Sequence, residues 1–371
     1  MNNKIRAIGA LCLALIWAAL TCFAWFSPAD EASLSERRAL AQFPETSQEE
    51  ILSGRFMSKF EDYTTDQFPL RDKFRQLKAT FHQYGLFQSD NNELYISDGY
   101  IAKMDYPLNE QEVTAATKKF NAIYNKMLKD KGCNVYLSLI PDKSYYLDSH
   151  HLSLDHEAMF ALVQKEMPYA TYIDITKDLE LSSYYRTDTH WRQEALIPVA
   201  QTLCEAMGMP GPTEDEFTAQ KQTQPFYGVY HGQAALPVEP DSLYLMQSEK
   251  LSDCVTYIHD GKGFKKADFE SVYNLEKLDS KDPYETYLSG TQSVMLIRNP
   301  NASTNRSLVV FRDSFGSSLS PLLVSEYKNV FIFDIREFDS RNITKYISFN
   351  DKQDVLFLYS SLVLNTGSMI K

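Results

Sequence analysis

The pattern of apolar and polar positions divides the chain into stretches with different periods. Ala7 to Phe26 carries no charge and follows Lys4 and Arg6. Roughly twenty apolar residues suffice to cross a bilayer as a helix. After it, apolar residues recur at helical spacing at Ile51, Phe56 and Phe60, and again at Phe74, Leu77 and Phe81, with Pro69 between the two sets. The pattern predicts two helices joined at Asp66-Gln67-Phe68-Pro69-Leu70-Arg71, where Asp66 and Arg71 are expected to make local hydrogen bonds.

From about residue 96 the pattern alternates. A helix over 110–129 leads to a strand at 134–140 that ends in Pro141-Asp142-Lys143, and a helix over 156–167 leads to a strand at 171–175. A third helix is expected from Trp191 to Met207. Such alternation predicts an α/β fold with a largely parallel sheet covered by helices on both faces. Between 208 and 290 short runs rich in Tyr and Val (243–246, 255–258, 272–273) lie between Gly, Pro and Asp turns, which predicts an inserted antiparallel β region. The parallel pattern is expected to resume at 293–297, 307–311, 329–334 and 354–359. The expected organisation is therefore a transmembrane signal anchor over 1–26, a membrane-proximal helical segment over 27–95 and a main domain over 96–371 with its insertion at 208–290.

Composition narrows the function. The net charge is −12 and no run of Lys and Arg supplies a basic face, which argues against nucleic acid as a partner. The basic flank of the apolar run places the N-terminus in the cytoplasm and the domain outside it, as a single-pass membrane protein whose main domain is extracellular or periplasmic. A cleaved signal peptide is the rival reading, against which stand the length of the run and the lack of a small-x-small site after it. Outside that run only Cys133, Cys204 and Cys254 remain, too few and too widely spaced for a disulfide framework or a zinc site. No cofactor motif is present.

The candidate chemistry lies in two stretches. Ser182 to Ala195, SSYYRTDTHWRQEA, places Asp188 and His190 two residues apart beside Trp191, and Leu308 to Ser318, LVVFRDSFGSS, breaks from a strand pattern at Asp313-Ser314-Phe315-Gly316 into a helical one. Each has an ordinary explanation, since Asp188, Asp313 or Ser314 can cap a helix and His190 can be a buried histidine. Taken together they supply carboxylate, imidazole and hydroxyl at predicted ends of one parallel sheet, where such folds bind ligands. A serine becomes a nucleophile when a histidine takes its proton and a carboxylate holds that histidine's tautomer. The first amides of the helix after Ser314 are expected to receive an oxyanion.

The D-T-H-W segment, the D-S-F-G turn, the anchor followed by S-E-R-R-A-L and the run D-Q-F-P-L-R-D resemble the DHHW-motif family of bacterial surfaces, relatives of periplasmic alginate O-acetyltransferases with an SGNH-hydrolase-like fold. Thr189 stands where the family motif has its first histidine, a spacer position. The resemblance implies Ser314 as nucleophile, His190 as general base and Asp188 as its orienting partner. It also implies transfer of acetyl to, or its removal from, a hydroxyl of an extracellular polysaccharide, in partnership with a membrane-bound O-acyltransferase. A non-catalytic binding or assembly role in a polysaccharide modification or export machine is the alternative.

Weaker candidates for substrate contact are Arg186 and Trp191 beside the dyad, the latter as a stacking surface for a sugar ring although a single aromatic is more often packing, Asn299 as an oxyanion donor at a strand end although a turn asparagine is the more ordinary reading, Tyr227 with Gly228, and Arg336. His150, His151 and His156 with Asp148 and Asp155 read as a solvated loop rather than a metal site, because adjacent histidines rarely converge on one ion.

Overall fold

The computed structural model describes residues 3–33, 35–148, 150–351 and 353–371. The chain divides into two compact units, one running up to Asn91 and including His231–Pro237, the other made of Asn92–Tyr230 and Val238–Lys371.

In the first unit, helix α1 (Asn3–Phe26) is long and apolar enough to cross a membrane, as a candidate anchor or signal sequence. Helices α2 (Arg55–Asp66) and α3 (Arg71–Thr80) meet at an elbow around Pro69, which cannot continue a helix that needs its N–H. Leu70 enters α3 with a left-handed backbone, φ 59°. The Asp66 carboxylate accepts from Arg38 Nη1 at 2.8 Å and from the Ala41 amide at 2.9 Å, while Arg71 stands 3.5 Å away. Arg38, followed by the Ala41 amide, holds this carboxyl down at about 2. The elbow is thus tied to the preceding segment rather than closed only on itself.

The second unit is built on an eight-stranded sheet. The strands of this unit are β1 (Leu94–Ser97), β2 (Tyr100–Lys103), β3 (Asn134–Ile140), β4 (Thr171–Tyr172), β5 (Thr218–Phe226), β6 (Asp241–Gln247), β7 (Val255–His259), β8 (Phe264–Lys266), β9 (Val294–Arg298), β10 (Ser307–Arg312), β11 (Asn329–Phe333) and β12 (Gln353–Ser360). The order across the large sheet is β8-β7-β9-β11-β10-β12-β3-β4. Strands β11, β10, β12, β3 and β4 run parallel. Side chains alternate between faces, so Leu308, Val310, Val330, Ile332, Leu356 and Leu358 enter one core while Val309, Phe311, Phe333, Val355 and Phe357 enter the other. That two-sided burial explains why these strands read as continuous apolar runs. Helices α4 (Glu110–Ile123) and α5 (His156–Glu166) supply the second core, α6 (Ile197–Ala206) and α7 (Gly316–Val324) the first.

Several expectations are corrected or refined. The strand at 294–298 is present but antiparallel to both its neighbours, β11 and β7. The inserted region is antiparallel as expected, in two parts: β5 and β6 make a separate ribbon, and β7 and β8 extend the main sheet. The helix expected from Trp191 begins only at Ile197, with Pro198 in its first turn, where a missing N–H costs nothing. Residues 272–273 pair only through a single bridge between Tyr273 and Tyr287.

Candidate active site

Ser314 sits at the carboxyl end of β10, an interior strand flanked by parallel neighbours on both sides. The turn that presents it is held by Asp313, which accepts from the Phe315 amide at 3.0 Å and, through its other oxygen, from the Ser360 amide at the end of β12 at 2.7 Å. One carboxylate therefore fixes the serine turn to the adjoining strand. Gly316 is required by close approach, because a Cβ there would stand 2.8 Å from Cβ of Arg312. Helix α7 follows, buried along its whole length.

The D-T-H turn reaches the same edge. Tyr184 bridges Trp191, and the Tyr185 amide donates to the His190 carbonyl at 3.1 Å, so residues 184–191 form a tight reversal. Asp188, fully buried, accepts from His190 Nδ1 at 2.6 Å and from the His190 amide at 3.1 Å through one oxygen, and from the Val229 amide at 2.8 Å through the other. A carboxylate facing Nδ1 requires the proton to be there. That leaves Nε2 as an acceptor, 2.8 Å from Ser314 Oγ. The half-buried serine hydroxyl, the imidazole and the buried carboxylate form one hydrogen-bonded row, in which a proton leaving Ser314 is received by a base whose charge the carboxylate stabilises.

Four supports hold this turn, and three of them, Lys143, Asp241 and Tyr284, were not assigned a role from sequence. Lys143, at the end of β3, is fully buried and its ammonium donates to the carbonyls of Tyr185 and Asp188, each at 2.5 Å. Burial lowers its pKa from 10.5 to about 8, against the pull of Asp142, Asp188 and Asp241. Asp241 accepts from the amides of Arg186 and Thr187, both at 2.9 Å, and from the Thr187 hydroxyl at 2.5 Å. The Tyr284 ring stacks on His190 with centroids 3.9 Å apart and planes within 7°, and its hydroxyl donates to the Ser314 carbonyl at 3.1 Å. Gly228 lets the following segment pass so near that a Cβ would lie 2.3 Å from Cβ of Asp188. The available signal was weak: an Asp-Lys pair ending a buried strand, and tyrosines in an insertion.

The weaker candidates fare unevenly. Trp191 is fully buried, its indole N–H donating to the Phe315 carbonyl at 2.9 Å, so it braces the serine turn and offers no face to a sugar. Asn299 lies at the opposite edge of the sheet, donating to the Val324 carbonyl at 2.8 Å, because the strand before it runs antiparallel. The amides expected to receive an oxyanion are engaged within the turn, Gly316 with the Asp313 carbonyl and Ser317 with the Ser314 carbonyl, both at 3.1 Å. Arg336 follows β11 at the site's edge and is held by Asp334 at 2.6 Å. Arg186 and Tyr227 are exposed beside Thr187 and Gly228. His151 stacks on Tyr95, and His156 is buried against the Leu154 carbonyl.

Both halves of the hydrogen-bonded row lie within one matched segment. Residues 164–333 match the DHHW protein family. The match covers D-T-H-W and D-S-F-G, two of the motifs that carried the resemblance. Solved structures agree on the fold. A DHHW family protein from Eubacterium siraeum is 19% identical, with TM-score 0.61, covering 76% of this chain and 94% of that one. Bacillus cereus PatB1 is 20% identical in a structure with a sulfonyl adduct and 19% identical in a second structure, both with TM-score 0.60. The first covers 73% of this chain and 95% of its own, the second 75% and 98%. No curated protein sequence matches the chain. The α/β architecture expected from the sequence is the one observed, a largely parallel sheet flanked by helices and carrying an antiparallel extension.

Proposed function

We propose that the chain is an extracytoplasmic enzyme that moves acetyl groups on or off hydroxyls of a cell-surface or secreted polysaccharide. The observation that carries this reading is the row Asp188–His190–Ser314 at the carboxyl edge of the sheet. Ser314 Oγ attacks the acetyl carbonyl of a donor as its proton passes to His190 Nε2, and the imidazolium returns that proton to the leaving group. A sugar hydroxyl, deprotonated by the same nitrogen, then attacks acetyl-Ser314 and regenerates the serine. Water in place of the sugar releases acetate, which makes the enzyme an esterase. Arg186 and Tyr227, exposed beside the turn, are positioned as acceptor contacts.

The polysaccharide part of the reading comes from the DHHW resemblance, and so does the partnership with a membrane-bound O-acyltransferase that brings acetyl across the bilayer. α1 acts as an uncleaved anchor, residues 27–95 form a membrane-proximal segment, and the domain beyond residue 96 carries the chemistry.

Acetate release from p-nitrophenyl acetate by the purified protein tests the reading. Ser314→Ala and His190→Ala are expected to lower kcat by roughly 10⁴- to 10⁶-fold while folding is kept. A sulfonyl fluoride should modify Ser314 and neither variant. Retention of polymer acetylation in cells carrying Ser314→Ala, with its loss on deletion of the protein, would overturn the enzyme in favour of an assembly role.

A further inference from the structure

We infer that the outward face of helix α3, carried by Leu70, Phe74, Leu77 and, where the helix ends, Phe81, rests in the outer leaflet of the phospholipid bilayer that α1 crosses. The inference rests on the reading of α1 as an uncleaved anchor.

A surface helix of a soluble unit turns its apolar stripe inward and its charges to water. Here the arrangement is reversed. Arg71 and Arg75 point into the unit, reaching Glu36 at 2.5 and 3.3 Å, and Arg75 also donates to the Gly232 carbonyl at 2.8 Å. Leu70, Leu77 and Phe81 are meanwhile 65, 65 and 57% exposed, and Phe74 and Tyr84 are exposed with them. The steps from 70 to 74, 77 and 81 alternate between four and three, which keeps these four on one face over about 17 Å, and exposed Tyr84 follows in the π-helical turn Phe81–Gly85 that continues α3. An exposed, contiguous apolar stripe of this kind marks an interaction site.

Its continuity with α1 identifies the occupant. The ring of Phe68 in the elbow lies 6.3 Å from Trp17 of α1 and 5.4 Å from Phe74 at the start of the stripe. The elbow also encloses a cavity of about 220 Å³ between Leu20, Ala24 and Trp25 of α1 and Phe43, Phe60 and Tyr63. Trp17 precedes Phe26 by nine residues, about 14 Å along the axis, close to half the roughly 30 Å hydrocarbon thickness. A spanning α1 thereby brings Phe68 and Phe74, where the stripe begins, to the level of the outer acyl chains. The polar side of the elbow stays near the end of α1, where the Asp30 amide donates to Gln67 at 2.9 Å. Lys73 and Lys78, exposed beside the stripe, suit lipid phosphates, as on helices that lie in a membrane interface.

The test uses the full chain reconstituted in phosphatidylcholine–phosphatidylglycerol vesicles, with photoreactive p-benzoylphenylalanine placed singly at positions 15, 77, 81 and 266. Mass spectrometry after illumination is expected to find lipid adducts at 15, 77 and 81 and none at 266, an exposed position of the main sheet's edge. Adducts at 15 but not at 77 and 81, or crosslinks from 77 and 81 to protein alone, would overturn the inference while leaving the anchor in place. Absence of adducts at 15 as well would show that the anchor reading itself has failed, and the inference with it.

Discussion

Lys143 is the support whose removal gives the sharpest prediction, because its charge is placed where water cannot reach it. Its folded pKa of about 8 lies below the ordinary 10.5, so the native state binds fewer protons than the unfolded state between those values. Stability must then rise with pH across that window, the reverse of a lysine that gains a carboxylate partner. A depression from 10.5 to about 8 corresponds to roughly 3 kcal/mol of cost for holding the ammonium at neutral pH. Lys143→Met removes that cost but leaves the carbonyls of Tyr185 and Asp188 without this donor, at roughly 1–3 kcal/mol each. The two effects nearly offset at pH 7, where the variant should lie between about 1 kcal/mol more and 3 kcal/mol less stable than wild type. From pH 7 to pH 10 wild type should gain roughly 2–3 kcal/mol over the variant, since only wild type carries the titrating group. Urea denaturation of both proteins at pH 7, 8, 9 and 10, in the same detergent and followed by circular dichroism, measures that change in the gap. A gap that stays constant across this range would refute the reasoning, because it would mean the ammonium is not desolvated. Ester cleavage supplies an independent readout: with the carbonyl of Asp188 released, the D-T-H turn loosens and kcat should fall by roughly tenfold or more even where stability is unchanged.

Other sites give simpler expectations. Gly228→Ala drives a methyl into backbone and side-chain atoms of Thr187 and Asp188 at 2.3–2.4 Å, and should cost roughly 1–3 kcal/mol in thermal unfolding together with most of the esterase activity. A variant with wild-type stability and rate would show that the segment after Phe226 is not held against the turn. Tyr284→Phe keeps the ring on His190 and should stay within a few-fold of wild-type kcat, whereas Tyr284→Leu removes the stacking and should lose roughly tenfold, as expected for about 1–1.5 kcal/mol of aromatic contact; equal rates for the two would exclude a positioning role for the ring. Asp66, held at about 2 by Arg38, contributes stability that is present above its ordinary carboxylate range and is lost as pH falls toward 2. Arg38→Gln should therefore reduce resistance to acid around the elbow, by under about 1 kcal/mol at neutral pH, read by proteolysis between Ala41 and Leu70 at pH 3 and pH 7.

Residue patterns settled a large part of this protein before any coordinates. The run from Ala7 to Phe26 is apolar enough that length alone makes it a spanning candidate, and the strands at 134–140, 307–312, 329–333 and 353–360 were legible because burial on both faces leaves no polar alternation to confuse. Ser314 stood out because it breaks such a pattern at a strand end, and Asp188 and His190 because they share one short polar turn. Strand direction was beyond the pattern. An apolar run records that its faces are buried and is blind to which way the chain travels, so β9 read like its parallel neighbours, and only its reversed direction removes Asn299 from the serine's edge and leaves the turn reading. Exposure within the site was hidden for a similar reason: Trp191 looks the same in sequence whether its ring meets a ligand or the back of the serine turn. Only the folded chain brought Lys143, Asp241, Val229 and Tyr284, all distant in sequence, onto this turn. Their role is a matter of hydrogen bonds and ring contacts across the fold, and spacing along the chain records none of these.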